Sequence, residues 1–147
     1  MVHIKPMLAL ALMAGLTLPA RSNADVEVVT TRGICTEFGF AAKPSQCSRL
    51  VSIHTVHSRR TTFTIAGPSL AIGFAGSQDL RLAPDGYLLL IDTLLVGNKS
   101  YQASGQCMAR LSKAHSRVTA VSCHATFVNG NARAVFKSTG IPIAGQL

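Results

Sequence analysis

The chain has 147 residues, with 14 lysines and arginines against six acids, 48 % hydrophobic side chains and no tryptophan. Such a length is one domain's worth and buries roughly two-thirds of its unfolded surface, so a core can form without a metal to hold it. Past the N-terminal segment no apolar stretch reaches the about 20 residues of a membrane-spanning helix; the most apolar, Tyr87 to Val96, is strand-sized and interrupted by Asp92.

In chain order, the first feature is an export signal over 1–24. His3 and Lys5 give a weakly positive start, and Met7 to Leu18 is an apolar run of 12 residues. Pro19 breaks the run, and Ser22 and Ala24 are the small residues a signal peptidase needs at its two recognition positions. Cleavage is expected between Ala24 and Asp25, leaving a single exported domain over 25–147 in the periplasm or outside the cell. Lys5 and Arg21 leave with the signal, so 14 basic residues become 12 against six acids, a net charge of +6.

The rest of the chain has no long segment with helical periodicity. Val26 to Thr30, Glu37 to Ala41, Leu50 to Val56, Thr61 to Ala66, Leu70 to Ala75 and Gln78 to Leu82 read as strands. Gly67-Pro68-Ser69, Gly76-Ser77 and Pro84-Asp85-Gly86 punctuate them. Many short strands with frequent turns predict an all-β domain, an antiparallel β-sandwich or a closed β-barrel. It ends in a meander with strands near 87–96, 99–111, 118–128 and 132–138.

The turns of that meander set its register. A two-residue turn at Gly97-Asn98 places Val96 opposite Lys99, Leu94 opposite Tyr101, Leu90 opposite Gly105 and Leu88 opposite Cys107. A longer turn centred on His115 places Cys107 opposite Cys123, Ala109 opposite Val121 and Ala103 opposite Phe127. Asn129-Gly130, the strongest hairpin signal in the chain, places Phe127 opposite Ala132, Ala125 opposite Ala134 and Cys123 opposite Phe136. Opposed residues share a face. One face is then almost wholly apolar, while Gln102, Ser104, Gln106, Arg110, Ser122, His124, Thr126, Arg133 and Lys137 occupy the other. Asp92 misfits on the apolar face, and Leu89, Ile91 and Leu95 misfit on the polar one. Either a bulge between Ile91 and Leu94 or a strand covered on both faces accounts for them.

Four cysteines in an exported chain favour two disulfides over free thiols or zinc, whose ligands usually come in closely spaced pairs. The register pairs Cys107 with Cys123, and elimination pairs Cys35 with Cys47.

Chemistry is sparse. There is no G-x-S-x-G elbow, no H-E-x-x-H, no C-x-x-C and no phosphate-cradling glycine loop. His54 and His57, three apart on a strand, point to opposite faces and cannot share an ion without a bend. The expectation is a non-catalytic domain without cofactor or metal. Charge carries the remaining signal: Arg49, His54, His57, Arg59 and Arg60 form a basic stretch, with no acid between Glu37 and Asp79. Arg110 and Lys137 add to the outer face of the C-terminal hairpins. A net positive exported domain is drawn to anionic polymers of the cell envelope. The expected function is therefore a binding module of the envelope using Arg49, Arg59, Arg60, Arg110 and Lys137. The alternatives are a barrel carrying a small apolar ligand and a structural subunit of a surface assembly.

Overall fold

Residues alternating between apolar and polar along most of the chain make strands with one buried face, and such faces are stable only when covered. In this protein they cover one another by curling into a closed barrel. The structure, a computed structural model, describes residues 26–113 and 117–142, with side chains as far as 140. The expected export signal and the centre of the expected His115 turn lie outside the described residues.

The elements are β1 (Val26–Phe40), β2 (Lys43–Pro44), β3 (Arg49–Thr55), β4 (Arg60–Ala66), β5 (Ala71–Gly76), β6 (Gln78–Leu82), β7 (Gly86–Val96), β8 (Lys99–Leu111), β9 (Val118–Phe127) and β10 (Gly130–Pro142). Hydrogen bonding runs β1-β3-β4-β5-β7-β8-β9-β10, and β10 pairs back onto β1. The fold is a closed eight-stranded antiparallel barrel, the second of the two architectures expected. Two further strands sit outside the ring: β2 pairs with the end of β1, and β6 continues past β5 to pair with β7.

Two expected strands, Val26 to Thr30 and Glu37 to Ala41, fall in one strand of 15 residues, except that Ala41 lies in the turn after it. The intervening segment pairs with β10, with irregularities between Thr31 and Gly33 and between Cys35 and Glu37. The β8–β9 register is as expected, with Cys107 opposite Cys123, Ala109 opposite Val121 and Ala103 opposite Phe127.

The β7–β8 hairpin begins as expected, with Val96 opposite Lys99 and Leu94 opposite Tyr101, then shifts between Ile91 and Thr93. Beyond the shift Leu90 faces Gln106 and Leu88 faces Met108, so neither points inward; Leu89 and Ile91 do, and both are buried. The bulge explanation of Asp92 is the correct one, and its cause lies in the neighbouring strand. At this point β7 exchanges β5 for β6 as its partner, and Gly76 approaches so closely that a Cβ there would lie 1.8 Å from the Leu90 carbonyl oxygen. Asp92 is thereby turned outward, where Arg60 meets it.

The β9–β10 hairpin also differs. Its turn residues are Val128 and Asn129, so Phe127 faces Gly130 and Ala125 faces Ala132. Gly130, at φ +140°, takes the conformation that L side chains rarely adopt. The pairing is offset by two residues from the expected one. A shift of two preserves side-chain direction, so the apolar face survives intact.

The interior is packed with side chains: Phe74, Phe136, Leu50, Ile65, Ile72, Leu89 and Leu94 are all fully buried. Both expected disulfides are present. Cys107–Cys123 joins opposed residues with Cα atoms 4.0 Å apart, and Cys35–Cys47 ties β1 to the segment before β3 across 5.4 Å. Two disulfides fit an oxidising compartment. Among the described residues no helix is long and apolar enough to cross a membrane. On β8, β9 and β10 the outward side chains are mostly polar, Met108, Ala120 and Val135 excepted, and the inward ones are apolar.

Candidate functional site

The barrel has two unlike ends. At the end formed by the β7–β8 and β9–β10 turns, Phe40, Tyr101 and Phe127 close the interior. Phe40 stacks on Phe127 with ring centroids 4.8 Å apart, and Tyr101 leans on both at 5.7 and 5.2 Å.

At the opposite end the inward positions turn polar. Glu27 on β1 faces His54 on β3, and His54 faces Thr61 on β4. His54 Nδ1 lies 2.9 Å from the Thr61 hydroxyl, which lies 2.9 Å from the Tyr87 hydroxyl of β7. Tyr87 donates in turn to Asp79 Oδ2 of β6 at 2.6 Å. The chain of bonds thus crosses four strands. Thr61 and Tyr87 are buried, at 5 % and 9 % exposure, so their hydroxyls depend on these partners.

The charge at one end orders the protons along the chain. An ionised carboxylate only accepts, so the single Tyr87 proton goes to Asp79. Tyr87 oxygen then accepts from Thr61, and Thr61, its own proton committed, accepts from His54 Nδ1–H. In the neutral ring this leaves His54 Nε2 as an acceptor, with no partner among the described residues. Burial, aided by the hydrogen bond to Asp79, pushes the Tyr87 phenol up to about 12.

This end opens into a cavity of about 250 Å³. Phe63, Leu111 and Val118 line its apolar part; Glu27, His54, Asp79, Arg81 and Arg117 supply its polar and charged groups. Arg81 reaches it because it faces Tyr87 across the β6–β7 pair, on the inward side of β6.

The basic residues expected to bind anions are not one cluster. Arg60 forks onto Asp92, with Nη2 2.6 Å from Oδ1 and Nη1 3.1 Å from Oδ2, and also reaches Ser77 and Thr93. The guanidinium holds the Asp92 carboxyl below the usual carboxylate range. Arg59 occupies the β3–β4 turn with φ +49°, whereas Arg49 begins β3, about 20 Å away at strand rise.

Arg49, Arg110 and Lys137 instead belong to an outward band. Arg110 faces Ala120 of β9, and Ala120 faces Lys137 of β10. Lys137 faces Ile34 of β1; two residues along the same face stands Arg32, directly opposite Arg49 of β3. All four cations are exposed and none makes an ion pair among the described residues. At about 4.8 Å per strand the band follows an arc of about 19 Å from β8 to β3, half-way round the closed ring, so Arg110 and Arg49 stand on opposite sides of the barrel. Asp85 adjoins its Arg110 end, where the Asp85 carbonyl accepts from Leu111 N–H.

Sequence reasoning missed Arg32, Thr61, Tyr87 and Asp79. The β6 segment Gln78-Asp79-Leu80-Arg81-Leu82 held a usable signal: its charged residues alternate with leucines, and the charged side faces inward. Comparison with protein-family models, curated proteins and solved structures gave no match to this chain.

Proposed function

We propose that this chain is an exported, non-catalytic binding domain that contacts anionic polymers of the cell envelope through the band Arg110–Lys137–Arg32–Arg49. The single observation carrying this reading is the direct opposition of Arg32 and Arg49. Like charges facing each other across strands destabilise a sheet, and an anion laid over the pair relieves that repulsion. The cations are exposed and held at fixed spacing by the strands, with Lys137, Arg32 and Arg49 on adjacent strands and Arg110 farther round the barrel, so a polymer meets the whole band only by bending round it. Its cations lie in high dielectric, so binding is weak, salt-sensitive and tolerant of polymer identity.

The apolar-carrier alternative has less support, because Phe74, Phe136, Leu50 and Ile65 occupy the space its ligand would need.

The test is titration with lipopolysaccharide, peptidoglycan and duplex DNA at low and high salt. For duplex DNA, four cations set a log–log salt slope no steeper than about −3.6. Arg32→Ala/Arg49→Ala is expected to weaken low-salt binding roughly tenfold or more, while Arg59→Ala leaves it unchanged. Absence of low-salt binding to all three polymers overturns the proposal. So does loss of binding in Arg59→Ala with retention in the double variant.

A further inference from the structure

The polar end of the barrel has features that the outer band does not explain. A line of four hydrogen-bonded side chains, buried at Thr61 and Tyr87 and exposed at Asp79, ends on a half-buried histidine that lines a cavity. Burying hydroxyls in a barrel costs stability unless each is satisfied, and a threonine, a tyrosine and a carboxylate from three strands are aligned here. Their joint effect is to fix the His54 tautomer with hydrogen on Nδ1. A neutral histidine free to choose offers either a donor or an acceptor at its second nitrogen. This one offers an acceptor, because Asp79 at the far end accepts only.

The remaining lining sets the rest of the ligand's chemistry. Arg81 and Arg117 line the cavity, and neither makes an ion pair among the described residues. Asp79 is engaged by Tyr87. Glu27, which also lines the cavity, stands opposite His54 on the neighbouring strand β1, whereas Arg81 lies on β6 and Arg117 just before β9. Phe63 and Val118 supply apolar surface between the two polar sides. The cavity's about 250 Å³ equals the liquid share of about eight waters, so the ligand is small.

We propose that this cavity is a binding site for a small hydroxycarboxylate. The ligand hydroxyl donates to His54 Nε2, the carboxylate lies against Arg81 and Arg117, and a short apolar portion rests on Phe63 and Val118. The site is independent of the outer band, and either can fail without the other.

The experiment is an NMR titration of the full exported domain, following the His54 ring signals, with three probes of similar size. Lactate carries both groups, propanoate lacks the hydroxyl, and ethylammonium reverses the charge. Lactate is expected to give saturable shifts at His54, propanoate to bind roughly fivefold more weakly for want of one hydrogen bond, and ethylammonium to give none. Arg81→Ala/Arg117→Ala, which changes two exposed side chains, is expected to keep the native spectrum elsewhere and lose the lactate response. In His54→Ala, followed at Thr61 and Tyr87, lactate and propanoate become equal. The proposal is overturned by absence of saturable lactate shifts up to tens of millimolar, by equal responses to lactate and propanoate in the parent, or by an undiminished lactate response in the arginine variant.

Discussion

One barrel carries two ends built on opposite principles. The end closed by Phe40, Tyr101 and Phe127 is held by ring contacts that need no particular proton arrangement and gain from burial alone. The end containing His54, Thr61, Tyr87 and Asp79 is held by directional bonds, each of which fails if its neighbour changes. The difference separates stability from specificity. Truncation at the aromatic end should cost much free energy and leave chemistry untouched. Changes at the polar end should cost less and alter pH response and ligand choice.

Phe127 is 8 % exposed and in contact with two other rings. Phe127→Ala should therefore lower unfolding free energy in urea by about 3–4 kcal/mol. A loss below about 1 kcal/mol would show that the aromatic cluster is not the seal described.

Next in size is the Cys107–Cys123 link, which spans a sequence separation of 16. Replacing both cysteines with alanine should cost roughly 3 kcal/mol by loop entropy, read as a lowered urea midpoint. Because the link lies between the two ends, the cost should add to that of Phe127→Ala rather than overlap with it.

Tyr87→Phe probes the polar end. Removing the phenol leaves Thr61 and Asp79 without their partner, and about 1–2 kcal/mol should be lost. The pH dependence sharpens the test. The folded phenol titrates near 12 rather than at its ordinary 10.0, so the folded state holds the proton more tightly than the unfolded state. Its stabilisation is complete below pH 10 and is lost as pH rises toward 12, on the order of 2 kcal/mol in total. Urea midpoints measured across this window should fall in the parent, and the contribution should vanish in Tyr87→Phe.

The smallest effect belongs to Asp92→Asn. The Arg60–Asp92 pair is solvent-exposed, so the loss should stay within about 1 kcal/mol. The folded carboxyl titrates below its ordinary value because Arg60 bonds its charged form. The contribution is therefore present above the ordinary carboxylate range and lost as pH falls through the folded value. Acid unfolding curves of parent and variant should converge at low pH and separate above it.

These effects also mark which parts of the molecule sequence could reach. The β8–β9 pairing was legible because a turn centred on His115 brings two largely alternating strands together in one register, and that register sets Cys107 opposite Cys123. The β9–β10 turn was misplaced because Asn129-Gly130 carries the usual turn signal, while the chain turns at Val128-Asn129 and spends the glycine just after the turn. Leu88 and Leu90 were placed inside because nothing local shows that β7 changes partner at Gly76. The misfit of Asp92 was the one visible trace. The basic run from Arg49 to Arg60 was legible as charge, but sequence proximity misled about space: Arg60 is tied to Asp92, and Arg49 stands beside Arg32. The polar end was illegible for a simple reason. Its four bonded side chains come from β3, β4, β6 and β7, and only barrel closure brings them together.

Closure has a further consequence for how the chain reaches its folded state. The seam between β1 and β10 joins residues about a hundred positions apart, as in Cys35 opposite Phe136, and contacts of such high order form slowly. Until β10 has left the ribosome, β1 can pair with β3 but not with β10. A growing chain therefore carries a long unsatisfied sheet edge through most of its synthesis, the kind of edge that recruits other strands and aggregates. A chain truncated before Gly130 would keep that edge permanently, so even a short C-terminal deletion should turn a closed molecule into a sticky one.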